Sequence, residues 1–300
     1  MKGGAVTRPD SSKTPLAKSI SRNLELLRRL EQQEFPRRGE PQIITISNQK
    51  GGVGKTTSAV NLAAALALGG LRVLVIDADP QGNASTALGV PHEEGTPSTY
   101  DVMVDAVPLA EVVVPCPDVD GLLVCPATID LAGAEVELVS RMGREYRLDE
   151  AIRQYLQDNT DVDVVLIDCP PSLGLLTINA FAASDEVLIP IQTEYYALEG
   201  LSLLWRTVER IREHLNPRLH IKTILLTMVD GRTNLSSEVA SEVREHFPQQ
   251  VLQTEIPRSV RISEAPSYGQ TVVTYEPRGS GAVAYRCAAL ELSQRLAEGR

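Results

Sequence analysis

The sequence predicts an α/β fold: a doubly wound, mostly parallel sheet of about seven or eight strands with helices on both faces. From Pro41 onward, short runs rich in Val and Ile alternate with stretches whose apolar residues recur every three or four positions, the rhythm of strands joined by crossover helices. Apolar residues fill 43% of the 300 positions but aromatics only 4%, so the interior must be aliphatic, as in a parallel sheet covered on both faces. Between the first strand and first helix of this body lies a glycine-rich turn at the sheet edge where such folds gather ligands.

Residues 1 to about 18 are rich in Ser, Thr, Lys, Gly and Pro without an apolar period, which predicts disorder. Ile20, Leu24, Leu27 and Leu30 then recur with charges between them, predicting one amphipathic helix over about 19–35. Pro36 ends it, and 37–41 reads as a linker. Such a helix either packs on its own body or meets DNA or a partner. The strands expected are Ile43 to Ser47, Val73 to Asp77, Leu122 to Cys125, Val162 to Asp168, Glu186 to Pro190 and Ile221 to Met228, with Val251 to Ile256 a weaker candidate. Helices are expected at Thr56 to Leu68, Asp130 to Met142, Leu148 to Asp158, Leu175 to Ala183, Leu198 to Leu215, Leu235 to Phe247 and Gly281 to Glu298. No internal repeat is visible, which sets solenoids aside. The organisation is therefore a basic extension over 1–40 and one domain over 41–300.

No apolar run approaches the roughly 20 residues of a membrane span, and no signal-peptide pattern opens the chain, so a cytoplasmic protein is expected. Cys116, Cys125, Cys169 and Cys287 are scattered without a CxxC pair, which disfavours a zinc site and suits buried, reduced thiols. The net charge of −10 divides unevenly: residues 1–40 hold nine Lys/Arg against five Asp/Glu, leaving −14 on the rest. A body this acidic can bind nucleic acid only through a local basic patch, with strong salt dependence.

The chemistry is carried by Ser47-Asn48-Gln49-Lys50-Gly51-Gly52-Val53-Gly54-Lys55-Thr56-Thr57, between a β-branched strand and a helix. Glycines let the backbone curl so that N–H groups, from Gly51, Gly52, Val53 and Gly54 onward, point at phosphate oxygens, and the helix adds its positive end. Lys55 is placed to reach the β- and γ-phosphates and the Thr56 hydroxyl to ligate Mg²⁺, while Thr57 can bond an α-phosphate oxygen. ATP and Mg²⁺ are the implied cofactors.

The loop departs from the strict Walker pattern at Gln49, where a glycine is usual, and carries an additional lysine, Lys50. The run Lys50 to Thr57 resembles the deviant Walker A box of the ParA/MinD superfamily of P-loop NTPases (SIMIBI type). The stretches Val75 to Ala84, Pro126 to Glu135, Leu166 to Gly174, Thr193 to Leu201, Asp230 to Leu235 and Ile256 to Pro266 resemble its chromosomal ParA/Soj branch in particular. The likeness spans about 42–298.

That resemblance implies a slow ATP hydrolase that forms a homodimer around ATP, binds double-stranded DNA without sequence preference and is released by a ParB-like centromere-binding protein. Lys50 would cross to the partner's phosphates, with Gly51 against the opposite subunit. Asp79 would orient the attacking water; Asp77 would support the metal shell and Asp168 hold Mg²⁺ through water, although either Asp77 or Asp79 could instead cap the next helix. Met228, Pro257 and Arg258 fall where relatives contact the base, and Arg232 and Arg261 where relatives contact DNA. The implied place is the cytoplasm, on the nucleoid.

Three rivals share the loop. A MinD-like membrane ATPase needs a basic amphipathic C-terminal helix, whereas Tyr285 to Arg300 alternates Glu and Arg without Phe or Trp and reads as a docking helix, so no stable membrane association is expected. A nitrogenase-reductase-like electron carrier needs cluster cysteines in glycine-rich segments, unlike Cys125 and Cys169 here. A small-molecule ligase or kinase on the same scaffold stays open, because fold alone does not fix substrate.

Overall fold

The computed structural model describes residues 15–195 and 197–299. A first helix, α1 (Pro15–Glu31), precedes β1 (Gln42–Ile46), α2 (Lys55–Leu68) and β2 (Val73–Asp77). Three short helices follow, α3 (Asn83–Ala87), α4 (Thr99–Val104) and α5 (Leu109–Val112), then β3 (Val114–Pro115) and β4 (Leu122–Cys125). Next come α6 (Leu131–Glu137), α7 (Arg147–Asp158), β5 (Val164–Asp168), α8 (Leu175–Ala183) and β6 (Glu186–Gln192). The chain closes with α9 (Ala197–His214), β7 (His220–Thr227), α10 (Asn234–His246), α11 (Val260–Glu264), α12 (Val272–Tyr275) and α13 (Ser280–Glu298).

Among the described residues one seven-stranded sheet runs β3-β4-β2-β5-β1-β6-β7, parallel except where β3 pairs antiparallel with β4. Apart from the two-residue edge strand β3, the strands are buried on both faces along most of their length, which explains their continuous apolar runs. Along β5, Val164 and Leu166 pack with Leu62 and Leu66 of α2 and Ala288 of α13, whereas Val165 and Ile167 pack with Leu148 and Ile152 of α7 and Ala180 of α8. Alanines 59, 63, 64 and 65 of α2 are wholly buried, so that helix lies close to the sheet beneath α13.

The N-terminal helix is displaced from its expected span. The chain is already helical at Pro15, the first described residue, and the helix stops at Glu31. Pro36 disfavours helical backbone at Phe35, which instead donates its N–H to Gly69 O at 3.0 Å and buries its ring where any side chain at position 69 would sit. Disorder is expected to about residue 18, but residues 15–18 are helical, and residues 1–14 lie outside the described residues. Two further differences concern short elements. Val251 to Ile256 makes only the isolated bridge Ile224↔Val251, with another at Val229↔Pro257, because the Glu291 carboxylate takes the N–H groups of Gln253 and Thr254. The expected Asp130 to Met142 helix breaks after α6 into a 3₁₀ turn, Leu138–Ser140, ahead of Gly143 at φ +66°.

Glu186 opens β6 fully buried, and burial pushes its carboxyl up to about 7. A raised carboxyl binds a proton on folding, so its stabilising form is complete below the unfolded value near 4.5 and is lost as pH rises through about 7. Glu186→Gln is expected to recover up to about 3 kcal/mol at pH 8 relative to pH 5. Chemical denaturation of both proteins at the two pH values checks this; an identical pH dependence would remove the assignment.

Candidate functional site

The phosphate loop is held by the strand ends beside it. Asn48 donates its side-chain amide to Pro190 O at 2.8 Å, and the Thr227 hydroxyl, at the end of β7, donates to Val53 O at 2.8 Å. Gly52 and Gly54 take φ of +74° and +88°, backbone that L side chains avoid. Gly54 caps α2, and no side chain occupies the N–H groups of that first turn. These donors converge with the helix dipole into a cradle for an anion.

Strand register then delivers the carboxylates. Asp77 of β2 pairs with Asp168 of β5, which in turn pairs with Ile46, immediately before the loop. Asp77 accepts from Ser85 N at 2.8 Å, Ser85 Oγ at 2.7 Å and Asp79 N at 3.2 Å, so both its oxygens tie down the segment leading into α3. Burial raises its pKa to about 6 against the pull of those bonds. Asp79 is buried and accepts from Gln81 N at 3.0 Å. Asp168 is wholly buried with neither carboxylate oxygen hydrogen-bonded. Burial, then the charge of Asp77, pushes its pKa well above the ordinary range; the Thr56 hydroxyl lies close enough to counter this partly without completing a hydrogen bond.

Lys55, buried at the head of α2, donates to Lys50 O at 3.4 Å. Burial lowers its pKa, and the charges of Asp168 and Asp79 oppose that. Two carboxylates, Asp168 and Asp79, act on one ammonium with Asp77 beside Asp168, and an unpartnered buried carboxylate is costly. The oxygen-only set of Thr56 and Asp168 suits a hard divalent cation such as Mg²⁺, so these residues fit MgATP.

Met228, at φ +52°, follows β7 and joins Gly54, Thr57, Pro257, Arg258 and Tyr285 around a cavity of about 340 Å³. The three residues expected at the base are thus brought together beside the loop. A larger cleft of about 750 Å³, between Arg38, Gln42, Arg153 and Lys222, lies at the opposite ends of the strands. Open α/β sheets bind ligands at their carboxyl ends, so the smaller cavity is the nucleotide candidate. Lys50 points elsewhere: its half-exposed ammonium meets Glu194 at 3.3 Å. Arg232 is 87% exposed and bonds both oxygens of Asp230 at 2.9 Å, which holds that carboxyl down at about 2. Arg261 pairs with Glu264 at 2.8 Å and Glu276 at 3.7 Å.

The partners that sequence reasoning missed are Ser85, Thr227 and Glu194. Ser85 and Thr227 reach the site only through tertiary packing, and nothing in their neighbours' spacing singles them out. The four thiols all have pKa values raised by burial, Cys125 to about 12, as for inert cysteines. The C-terminal helix α13 buries Tyr285, Ala288, Ala289 and Leu292 against the body, as a docking helix does. No helix among the described residues is long and apolar enough to cross a membrane.

A glycine-bent anion cradle, a buried lysine and an orphaned acidic strand end on this sheet define a P-loop ATPase. A family model described as an AAA domain matches residues 41–221. The chain is 52% identical over 256 residues to the sporulation initiation inhibitor protein Soj of Bacillus subtilis, covering 85% of this chain and 98% of that protein. It is 49% identical over 254 residues to the chromosome partitioning protein ParA of Myxococcus xanthus, covering 85% and 88%. The structure of cobyrinic acid a,c-diamide synthase from Mycobacterium smegmatis, with bound ATP analog and magnesium, aligns with a TM-score of 0.74 at 36% identity over 87% of this chain and 97% of that one. The chain belongs to the ParA/Soj family of chromosome-partitioning ATPases.

Proposed function

We propose that this protein segregates DNA as an ATP-switched dimer: it binds MgATP, pairs face to face with a second copy, coats duplex DNA on the nucleoid and lets go after hydrolysis. The observation that carries this reading is the division of labour between two loop lysines. Lys55 is buried in its own phosphate cradle, whereas Lys50 projects outward on a weak, exposed ion pair and is free to serve a neighbour. Bound MgATP supplies the scissile phosphoanhydride; Lys55 and the N–H groups of the loop hold its phosphates, while Thr56 and Asp168 hold the metal. Asp77 braces the segment that carries Asp79, and Asp79 orients the attacking water. Lys50 of each protomer neutralises charge that develops in the other's site, as an arginine finger does.

Hydrolysis by this set is slow because a carboxylate orients the water and, among the described residues, the arginine at the nucleotide cavity, Arg258, falls where the base is expected; a ParB-like basic segment entering the dimer interface accelerates it. Arg232 and Arg261 contact DNA phosphates. Their carboxylate partners are surface groups, so a polyanion can compete for both arginines. Size-exclusion chromatography with ATP, ADP and no nucleotide, repeated with duplex DNA at two salt concentrations, tests the cycle. A dimer confined to the ATP state, with DNA binding that follows the dimer and weakens with salt, is the expected result. A monomer in every state would overturn the reading, and turnover stimulated by a metabolite rather than by DNA and a partner would favour the small-molecule enzyme.

A further inference from the structure

The first helix carries positive charge that the ATPase cycle does not use. On its apolar side Leu27 and Leu30 are buried, and the helix lies against α13. On the outer side Arg22, Arg28 and Arg29 are exposed. None of the three has a carboxylate within ion-pair distance among the described residues, although Glu25 lies on the same helix and Glu31 turns 4.0 Å from Arg286. Arg22 and Arg29, seven residues apart, fall on one stripe about 10 Å long.

The docking of α1 decides where that stripe points. Arg22, Asn23 and Leu26 form one wall of a groove of about 550 Å³ whose other wall includes Gly231 and Pro257. Gly231 adjoins Arg232, the residue proposed above to touch DNA, and Arg258 beyond Pro257 is also exposed. Arg232 and Arg261 are each engaged by carboxylates, and Glu255 in the groove pairs with Arg244, so Arg22 and Arg29, with the exposed Arg258, carry positive charge beside that loop that no ion pair takes up among the described residues. The Soj relative is covered almost end to end by 256 of these 300 residues, so the extension adds to what that relative carries.

We propose that α1 is part of the nucleic-acid surface of this protein, with Arg22 and Arg29 contacting phosphates of the duplex that Arg232 contacts. This rests on the DNA-binding reading above and names a further element of it. Phosphate contacts of this kind position the duplex and carry no sequence preference. A bilayer is the poorer fit, because a helix that lies in a membrane needs a free apolar face, and Leu27 and Leu30 of this one are already buried.

The test is a salt titration of the ATP-bound protein on random-sequence duplex DNA, comparing wild type with the pair Arg22→Gln and Arg29→Gln. Each lost phosphate contact lowers the slope of log K against log salt by about 0.9, so the pair should lower it by about two for each protomer of the dimer on the duplex, and Arg22→Lys with Arg29→Lys should restore it. ATP turnover without DNA should not change. An unchanged slope beside normal wild-type DNA binding would overturn this inference and leave the proposed function standing; a wild type that does not bind duplex DNA would overturn both. Loss of binding to vesicles of anionic phospholipid with DNA binding intact would assign the stripe to a membrane and also overturn it.

Discussion

Replacing Lys50 with alanine is expected to abolish ATP-dependent dimerisation and to lower turnover about a thousandfold, the scale on which a charge supplied in trans acts in related NTPases. The protomer itself should hardly notice. Lys50 is half exposed and its ion pair with Glu194 is a surface pair, worth less than about 1 kcal/mol, so unfolding midpoints should stay close to the parent. Nucleotide binding should persist in part, because the buried Lys55 and the loop N–H groups, not Lys50, line the protomer's own cradle. Light scattering of the variant with ATP measures the outcome, and a normal dimer would refute a role across the interface.

Asp79→Ala is expected to slow hydrolysis by about a hundredfold or more, the usual contribution of a positioned acid–base group, and to accumulate as an ATP-bound dimer on DNA. The geometry makes this a test of one carboxylate among three. Asp77 is consumed by Ser85 and by the Asp79 N–H, and Asp168 sits wholly buried opposite it in the register. Asp79 is fixed through one oxygen to Gln81 N, and its charge acts on Lys55, the lysine proposed to hold the phosphates. Removing it should leave the metal position intact while the water loses its guide. Single-turnover hydrolysis alongside nucleotide affinity separates the two effects, and wild-type turnover would withdraw the assignment.

Much of the candidate site was legible because its residues are consecutive or end strands. The loop from Ser47 to Thr57 states its chemistry in eleven neighbouring positions. Asp77 and Asp168 each close an apolar run, which marks the sheet edge before any pairing is known. The role of Asp77 was not legible, since whether a strand-end carboxylate braces a loop or meets a metal depends on a serine eight residues away. Elements of four to six residues, such as α3, α4, α5 and α12, were missed because so few residues cannot display a helical period. The failure at Val251 to Ile256 has a different origin: a β-competent run lost its ladder to a glutamate on α13, about forty positions distant.

The amino-acid sequence by itself determined the alternation of strands and helices, the phosphate loop and the family, because these follow from local spacing and from side chains adjacent in the chain. Only the tertiary structure decided that Asp168 lies beside Asp77 with no side-chain hydrogen-bond partner of its own, that Met228, Pro257 and Arg258 line one cavity beside Gly54, and that α1 lies along α13 and faces Gly231 across a groove. Strand order and helix docking are set by burial of apolar faces between segments far apart in sequence, and that burial, more than any local preference, fixes which charges become neighbours.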